Sequence, residues 1–307
     1  VDIAAGEACS CAMTFDAKFW ARVLSTWGGE ERSIFNRILL QQSVKTGPSL
    51  QGLPEQRGPS VAVAPHGRIG AAGRREPMRP GSRAWDTGCY FSMMIRVKNM
   101  QSIYDDAIRL GWWTETPITA LQFGESDLRV VIYRGPDGVQ VQTYDRLSPP
   151  LPETIPDFER MTAPFNMMQM VADRDVAYDF FTQILGFDTF YKGKPYTAKT
   201  PTPTPIGIPL SLTTSIPYRA GIVYPVAGEF GRMEMIEVMG LDGFDYADQC
   251  DAPNLGILAV RYPVADIERA KNQVLARGGA ISRDIATVSL GGVGAVELFS
   301  LKTPDGA

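Results

Sequence analysis

The chain has 307 residues, of which 44% are hydrophobic, 21% charged and 10% aromatic, a composition that supports about two globular domains. Its net charge of −4 comes with neither an aromatic-studded basic stripe nor a long block of like charge, which excludes nucleic acid and anionic membrane as natural partners. A small organic ligand is the better expectation.

No apolar run approaches the roughly 18 to 20 residues of a membrane span, and no basic-then-apolar leader opens the chain, so the protein reads as cytoplasmic. Cys9, Cys11, Cys89 and Cys250 are too few and too scattered for a disulfide framework, and Cys9-x-Cys11 lacks the spacing of a zinc knuckle. All are read as reduced thiols. The chain starts at Val1 and stops just after Thr303-Pro304-Asp305-Gly306, which reads as the turn before another strand, so a fragment is expected.

In chain order, Phe15 to Leu24 is a candidate helix, and the stretch Gly47 to Gly81 is rich in Gly, Pro and Arg without period 2 or 3.6. The sole histidine, His66, falls in this stretch and reads as a solvated loop residue. From Phe91 the pattern changes. Phe91-Ser92-Met93-Met94-Ile95-Arg96-Val97-Lys98-Asn99 lines up with Phe165-Asn166-Met167-Met168-Gln169-Met170-Val171-Ala172-Asp173, and in the same register Tyr104-Asp105 matches Tyr178-Asp179. Each copy opens with a β-rich run, passes an Asn or Asp suited to capping, and continues at helical spacing through Ile103, Ala107, Ile108 and Leu110 or through Ala177, Phe180, Phe181 and Ile184. Each helix stops at a glycine, in Leu110-Gly111-Trp112 and Leu185-Gly186-Phe187. A weaker third copy reads as strand then cap over Gly256 to Asp266, followed by a helix over Ile267 to Leu275 that ends at Gly278-Gly279. Strands running into Pro136-Asp137-Gly138 and Pro304-Asp305-Gly306 close the first and third copies.

Strand, capped helix ending in Leu-Gly-Phe, then strands closed by a Pro-Asp-Gly hairpin resembles the vicinal-oxygen-chelate superfamily of glyoxalase I, bleomycin-resistance proteins and extradiol dioxygenases. The resemblance covers roughly Trp85 to Ala307. It implies an α+β fold in which tandem βαβββ modules pair into curled mixed β-sheets around one ligand cavity. By the same analogy an N-terminal domain spans 1–147, with a poorly defined first module and a second at 85–147. The proline-rich 148–162 is a linker, and a C-terminal domain spans 163–307 with modules 163–245 and 252–307.

Metal-dependent members carry His or Gln on each module's first strand and Glu on a closing strand. Counting back from the helix caps puts Ser92, Asn166 and Ala259 at the first-strand positions, and Gln142 stands at the closing-strand position. None is a good metal ligand, and the facial triad of an iron dioxygenase is unavailable. No metal site is therefore expected. Parity along the strands turns Ser92, Arg96, Gln142, Tyr144, Asn166 and Arg261 inward as candidate ligand-binding groups, the arginines suiting a carboxylate or phenolate. Glu237 is expected to face the cavity and Glu234 the opposite side, which makes Glu237 and Tyr144 the candidate acid/base pair.

The sequence reading is thus a metal-independent member of this superfamily that binds a small, aromatic or polyketide-like molecule, with homo-oligomerisation left open and no cofactor. The competing reading is a metal-dependent enzyme of glyoxalase, lyase, isomerase or dioxygenase type, its Zn, Ni, Mn or Fe held by segments not recognised above.

Overall fold

The computed structural model describes residues 60–63, 76–81, 83–114, 116–135, 138–155, 157–226, 231–252, 254–290 and 294–307. The candidate helix Phe15 to Leu24 and His66 lie outside them. A short strand β1 (Ser60–Val63) comes first. The first complete unit is β2 (Tyr90–Arg96), α1 (Met100–Arg109), the short β3 (Trp113–Thr114), β4 (Thr119–Phe123), β5 (Ser126–Arg134) and β6 (Gln140–Ser148). The second is β7 (Asn166–Met170), α2 (Arg174–Asp179), β8 (Asp188–Lys192), β9 (Tyr218–Tyr224) and β10 (Arg232–Val238). Then follow β11 (Ile257–Arg261), α3 (Ile267–Ala276), β12 (Arg283–Leu290) and β13 (Gly294–Ser300).

The caps fall where the repeat puts them. Asn99, Asp173 and Asp266 each accept a hydrogen bond from a first-turn N–H, from Ser102, Asp175 and Arg269 respectively, which pairs donors that a helix start leaves open. Helix α2 runs on into a wide π turn over Phe180–Ile184, where the Leu185 N–H reaches the Phe180 carbonyl at 3.1 Å. Gly111 and Gly186 then take φ of 82° and 76°, the left-handed conformation that ends each helix.

One nine-stranded sheet carries both units in the order β3-β5-β6-β2-β7-β10-β9-β8, with β4 also paired to β5. Within each unit the first strand runs parallel to the last, β2 with β6 and β7 with β10, and the remaining pairs are antiparallel. The two first strands meet antiparallel at Met93↔Met167 and Met94↔Asn166. The grouping expected from sequence therefore changes: module 85–147 shares its sheet with 163–245. The intervening 148–162 segment connects two halves of one sheet, and its end is stitched to β2 by Lys98 N–H to Arg160 O, 2.8 Å, and Thr162 N–H to Arg96 O, 2.9 Å.

Strand β11 pairs with β1 and strand β12 with β13, each as a separate two-stranded ladder. The reading of Cys89 and Cys250 as free thiols is corrected: they form a disulfide, with Cα atoms 5.1 Å apart across 161 positions of sequence. Spacing could not reveal this pair, because only the folded topology brings the start of β2 to the segment after β10. Cys9 and Cys11 lie outside the described residues. No helix among the described residues is long and apolar enough to cross a membrane.

Alternation along the strands divides the apolar residues between two faces. Ile95, Tyr133, Met167, Met233 and Met235 pack with Ile103 and Ala107 of α1 and with Ala177 of α2 and Phe181. Met94, Ile132, Met168, Met170 and Ile236 form a second cluster on the face turned away from the helices. The sheet curls about this inner face until its edges approach, Phe123 of β4 lying edge-on to Tyr191 of β8 with ring centroids 5.5 Å apart.

Met167 sits at the seam and is 0% exposed. Met167→Ala should cost about 2–5 kcal/mol, the range for truncating a buried methionine, read as a drop in the urea midpoint with an unchanged m-value. A loss below about 1 kcal/mol would show that the seam is not tightly packed.

Candidate functional site

The inner face is organised in rows of directly opposed residues. One row runs Ile132, Gln142, Met94, Asn166, Arg232, and its neighbour runs Ser92, Met168, Glu234, Ile222. Met94 is flanked by Gln142 and Asn166 in the first, and Met168 by Ser92 and Glu234 in the second. A third row brings Tyr144 beside Arg96. Ser92, Arg96, Gln142, Tyr144 and Asn166 are thus brought onto one surface by the strand parity that predicted them.

This surface is dry. Ser92 and Gln142 are 0% exposed and Asn166 is 3% exposed. Ser92 Oγ, both side-chain heteroatoms of Gln142 and Asn166 Oδ1 have no hydrogen-bond partner among the described residues. Burying an unpaired polar atom costs about 1–3 kcal/mol, so several at one place is expensive and calls for a reason. Asn166 uses its other atom, Nδ2 donating to Glu234 Oε2 at 2.9 Å. The Arg96 guanidinium lies over the Phe165 ring, 3.8 Å from its centroid, and Phe165 meets Tyr144 edge-on at 5.7 Å.

Glu234 and Glu237 exchange the places expected of them. Glu237 lies on the helix side, where Arg219 donates to it from Nε at 2.8 Å and the Arg174 N–H at the start of α2 donates at 2.8 Å. It is an anion held at a helix N-terminus, a stabilising latch between α2 and the β9–β10 pair. Glu234 faces inward. Burial pushes its carboxyl up to about 7, opposed by the Asn166 hydrogen bond and the charge of Arg232. Burial also raises the Tyr144 hydroxyl well above its usual value, with the charge of Glu234 adding to it, and raises Tyr218 to about 12.

Arg261 is not brought to this surface. It stands on β11 opposite Ser60 in the separate ladder with β1, half-buried, and burial lowers its pKa. Ala259 lies on the same ladder.

The open cavity implied by the resemblance is absent among the described residues, because the segment between β8 and β9 fills the inner face. Ile206 and Ile208, 3% and 4% exposed, join the cluster of Met94, Met168 and Ile132. A hollow between Phe91, Ile132, Gln140 and Ile206 has a volume of about 10 Å3, room for little more than a water molecule and far below the size that encloses a drug-sized ligand. The sequence did carry a signal for this plug, an alternating Thr200-Pro201-Thr202-Pro203-Thr204-Pro205 run ahead of Ile206-Gly207-Ile208, with prolines presetting an extended, stiff path.

Of the positions where the resemblance puts a metal ligand, Ser92 offers a hydroxyl and Gln142 and Asn166 offer amides, Ala259 lies on the separate ladder, and the one carboxyl beside them is that of Glu234. A divalent transition ion needs imidazoles, thiolates or several carboxylates, and here the lone carboxyl is pushed toward its neutral form. The donor set does not fit such an ion. No group of three or more His, Cys, Asp and Glu gathers elsewhere among the described residues.

No protein-family model matches the chain, and no curated protein does. Among solved structures the chain is similar to glyoxalase I from Zea mays, with 16% identity, a TM-score of 0.47, and coverage of 72% of this chain and 66% of that one. It is also similar to methylmalonyl-CoA epimerase from Mycobacterium tuberculosis, with 15% identity, a TM-score of 0.31, and coverage of 50% and 89% respectively. A variant of 4-hydroxymandelate synthase from Streptomyces coelicolor follows at 11% identity and a TM-score of 0.30, covering 72% of this chain and 90% of that one. The strand order defines the architecture: two units, each with its first strand parallel to its last, are joined antiparallel through those first strands into one curled mixed sheet.

The Glu234 carboxyl gives the fold a signature in pH. Its folded value near 7 lies above the unfolded value near 4.5, so the folded chain binds the proton more tightly. The resulting stabilisation is full below about pH 4.5 and is lost as pH rises through about 7. The melting temperature of the native chain should therefore fall relative to that of Glu234→Gln between pH 5 and 8. Parallel curves would show that Glu234 is solvated as an ordinary carboxylate.

Proposed function

We propose that the chain is a metal-independent protein of this fold whose inner sheet face takes a small organic molecule, aromatic or polyketide-like. The observation that supports it is the gathering of unpartnered polar atoms on Ser92, Gln142 and Asn166 in an otherwise apolar, water-excluded wall. Polar groups left unpaired in a core are costly, and a ligand that pairs them recovers that cost on binding.

If the bound molecule reacts, Glu234 takes the acid/base role that sequence gave to Glu237. A carboxyl near 7 is populated in both protonation states at neutral pH, which suits it to hold or release a proton at Oε1 or Oε2. Asn166 fixes Oε2 through its 2.9 Å hydrogen bond, and Arg232 supplies nearby positive charge that favours the ionised form. Tyr144, held protonated by burial, offers its hydroxyl for hydrogen bonding and does not serve as the base. The competing metal-dependent glyoxalase-, lyase- or dioxygenase-type reading is disfavoured by a donor set with a single carboxyl and no imidazole.

A thermal-shift screen against aromatic acids, their amides and quinones in metal-chelated buffer tests the proposal. Hits are expected for the native chain and for Glu237→Gln, whose site lies on the other face, and should weaken for Asn166→Ala. Stoichiometric Ni, Zn, Mn or Fe by elemental analysis, or hits that need added metal, would overturn metal independence.

A further inference from the structure

The unpaired atoms of the inner face carry information about the charge of what they bind. Gln142 offers its amino group as donor and its carbonyl oxygen as acceptor, Asn166 offers its carbonyl oxygen because its amino group donates to Glu234 Oε2 and Met94 Sδ, and Ser92 offers a hydroxyl that can do either. An anion accepts hydrogen bonds and donates none. It would face two carbonyl oxygens and the Glu234 carboxyl, with both nearby guanidinium groups engaged over aromatic rings, Arg96 on Phe165 and Arg232 on Phe190 at 4.0 Å. The surrounding wall of Met94, Met168 and Ile132 is apolar and suits a flat ligand.

The space for such a ligand is held by the plug. Between Lys199 and Leu212 the segment's hydrogen bonds are internal or go to the adjoining Thr213, Ser215 and Ile216, as in Gly207 N–H to Thr204 O at 3.2 Å and Thr202 N–H to Thr213 Oγ1 at 3.2 Å. Among the described residues none joins it to a strand of the sheet, so apolar contact through Ile206 and Ile208 is what seats it. Its base is pinned, by reciprocal bonds between Tyr196 and Tyr218 and by Ala198 N–H to Thr213 O at 2.9 Å. A segment anchored at its base and seated by the apolar contacts of Ile206 and Ile208, with Leu212 packed at its end, can lift without breaking a hydrogen bond of the sheet.

Resting on the binding role proposed above, we infer that the inner face selects an uncharged planar molecule carrying a donor beside an acceptor, such as an aromatic amide or hydroxyaryl ketone, which displaces the Ile206–Ile208 plug. The ligand exchanges the apolar cover for hydrogen bonds to Gln142, Asn166 and Ser92, and the displaced isoleucines move toward solvent.

Isothermal titration with 2-hydroxybenzamide and with 2-hydroxybenzoate, paired with hydrogen exchange over residues 199–212, tests this. The amide should bind about tenfold or more tightly than the carboxylate, and Gln142→Leu should remove that preference, since a site built to pair polar groups rejects partners that cannot. Exchange at Gly207 and Ile208 should rise in the complex, and the double variant Ile206→Ala, Ile208→Ala, which leaves the sheet intact, should bind the amide more tightly than the native chain. Equal or tighter binding of the carboxylate would overturn the ligand class while leaving the binding role standing. Amide binding with unchanged exchange would overturn displacement of the plug. Binding of neither compound, even by the double alanine variant, would overturn this inference and count against the binding role.

Discussion

The antiparallel meeting of β2 and β7 is the constraint on which the rest of the structure depends. It makes a single continuous sheet out of two units, places both first strands at the centre, and fixes Met94 between Gln142 and Asn166. Because side chains alternate, a shift of one residue at this seam would send Ser92 and Asn166 to the helix side and bring Met93 and Met167 to the inner face. The register is held by apolar residues on both faces of the seam, which is why each first strand reads as a nearly unbroken hydrophobic run.

Much of this was legible in the sequence. The repeat located both units, the caps at Asn99, Asp173 and Asp266 were readable from residue type, and counting back from the first two caps and forward from the Gly138 turn placed Ser92, Asn166 and Gln142 on one face. Those strands lie beside a helix cap or a turn, so the count had a fixed origin. Strand β10 has none. In Met233-Glu234-Met235-Ile236-Glu237-Val238 apolar residues face both sides, and the spacing of the glutamates lets either one point inward. Only its register with β7, Glu234 opposite Met168, settles the choice.

Other features were beyond a local reading. The Cys89–Cys250 disulfide joins residues 161 positions apart, and which unit pairs with which depends on long-range strand pairing that no motif encodes. Arg261 shared the right parity on its own strand yet belongs to another ladder, since parity orders side chains within a sheet and cannot say which sheet a strand joins. The plug was visible as a Thr-Pro run, but a run of prolines reads as connection. Its burial against Met94 and Met168 follows from the curl of the sheet around it.

The contact of Phe123 with Tyr191 has a consequence for the molecule's behaviour toward its neighbours. Strands at the rim of a sheet expose backbone donors and acceptors that can recruit a foreign chain. Here β4 and β8 turn toward one another, and an aromatic pair spans the gap between them. A stranger's strand approaching the rim at Phe123 or Tyr191 must first part those rings, so the same bend that encloses the inner face also shields these two rims of the sheet.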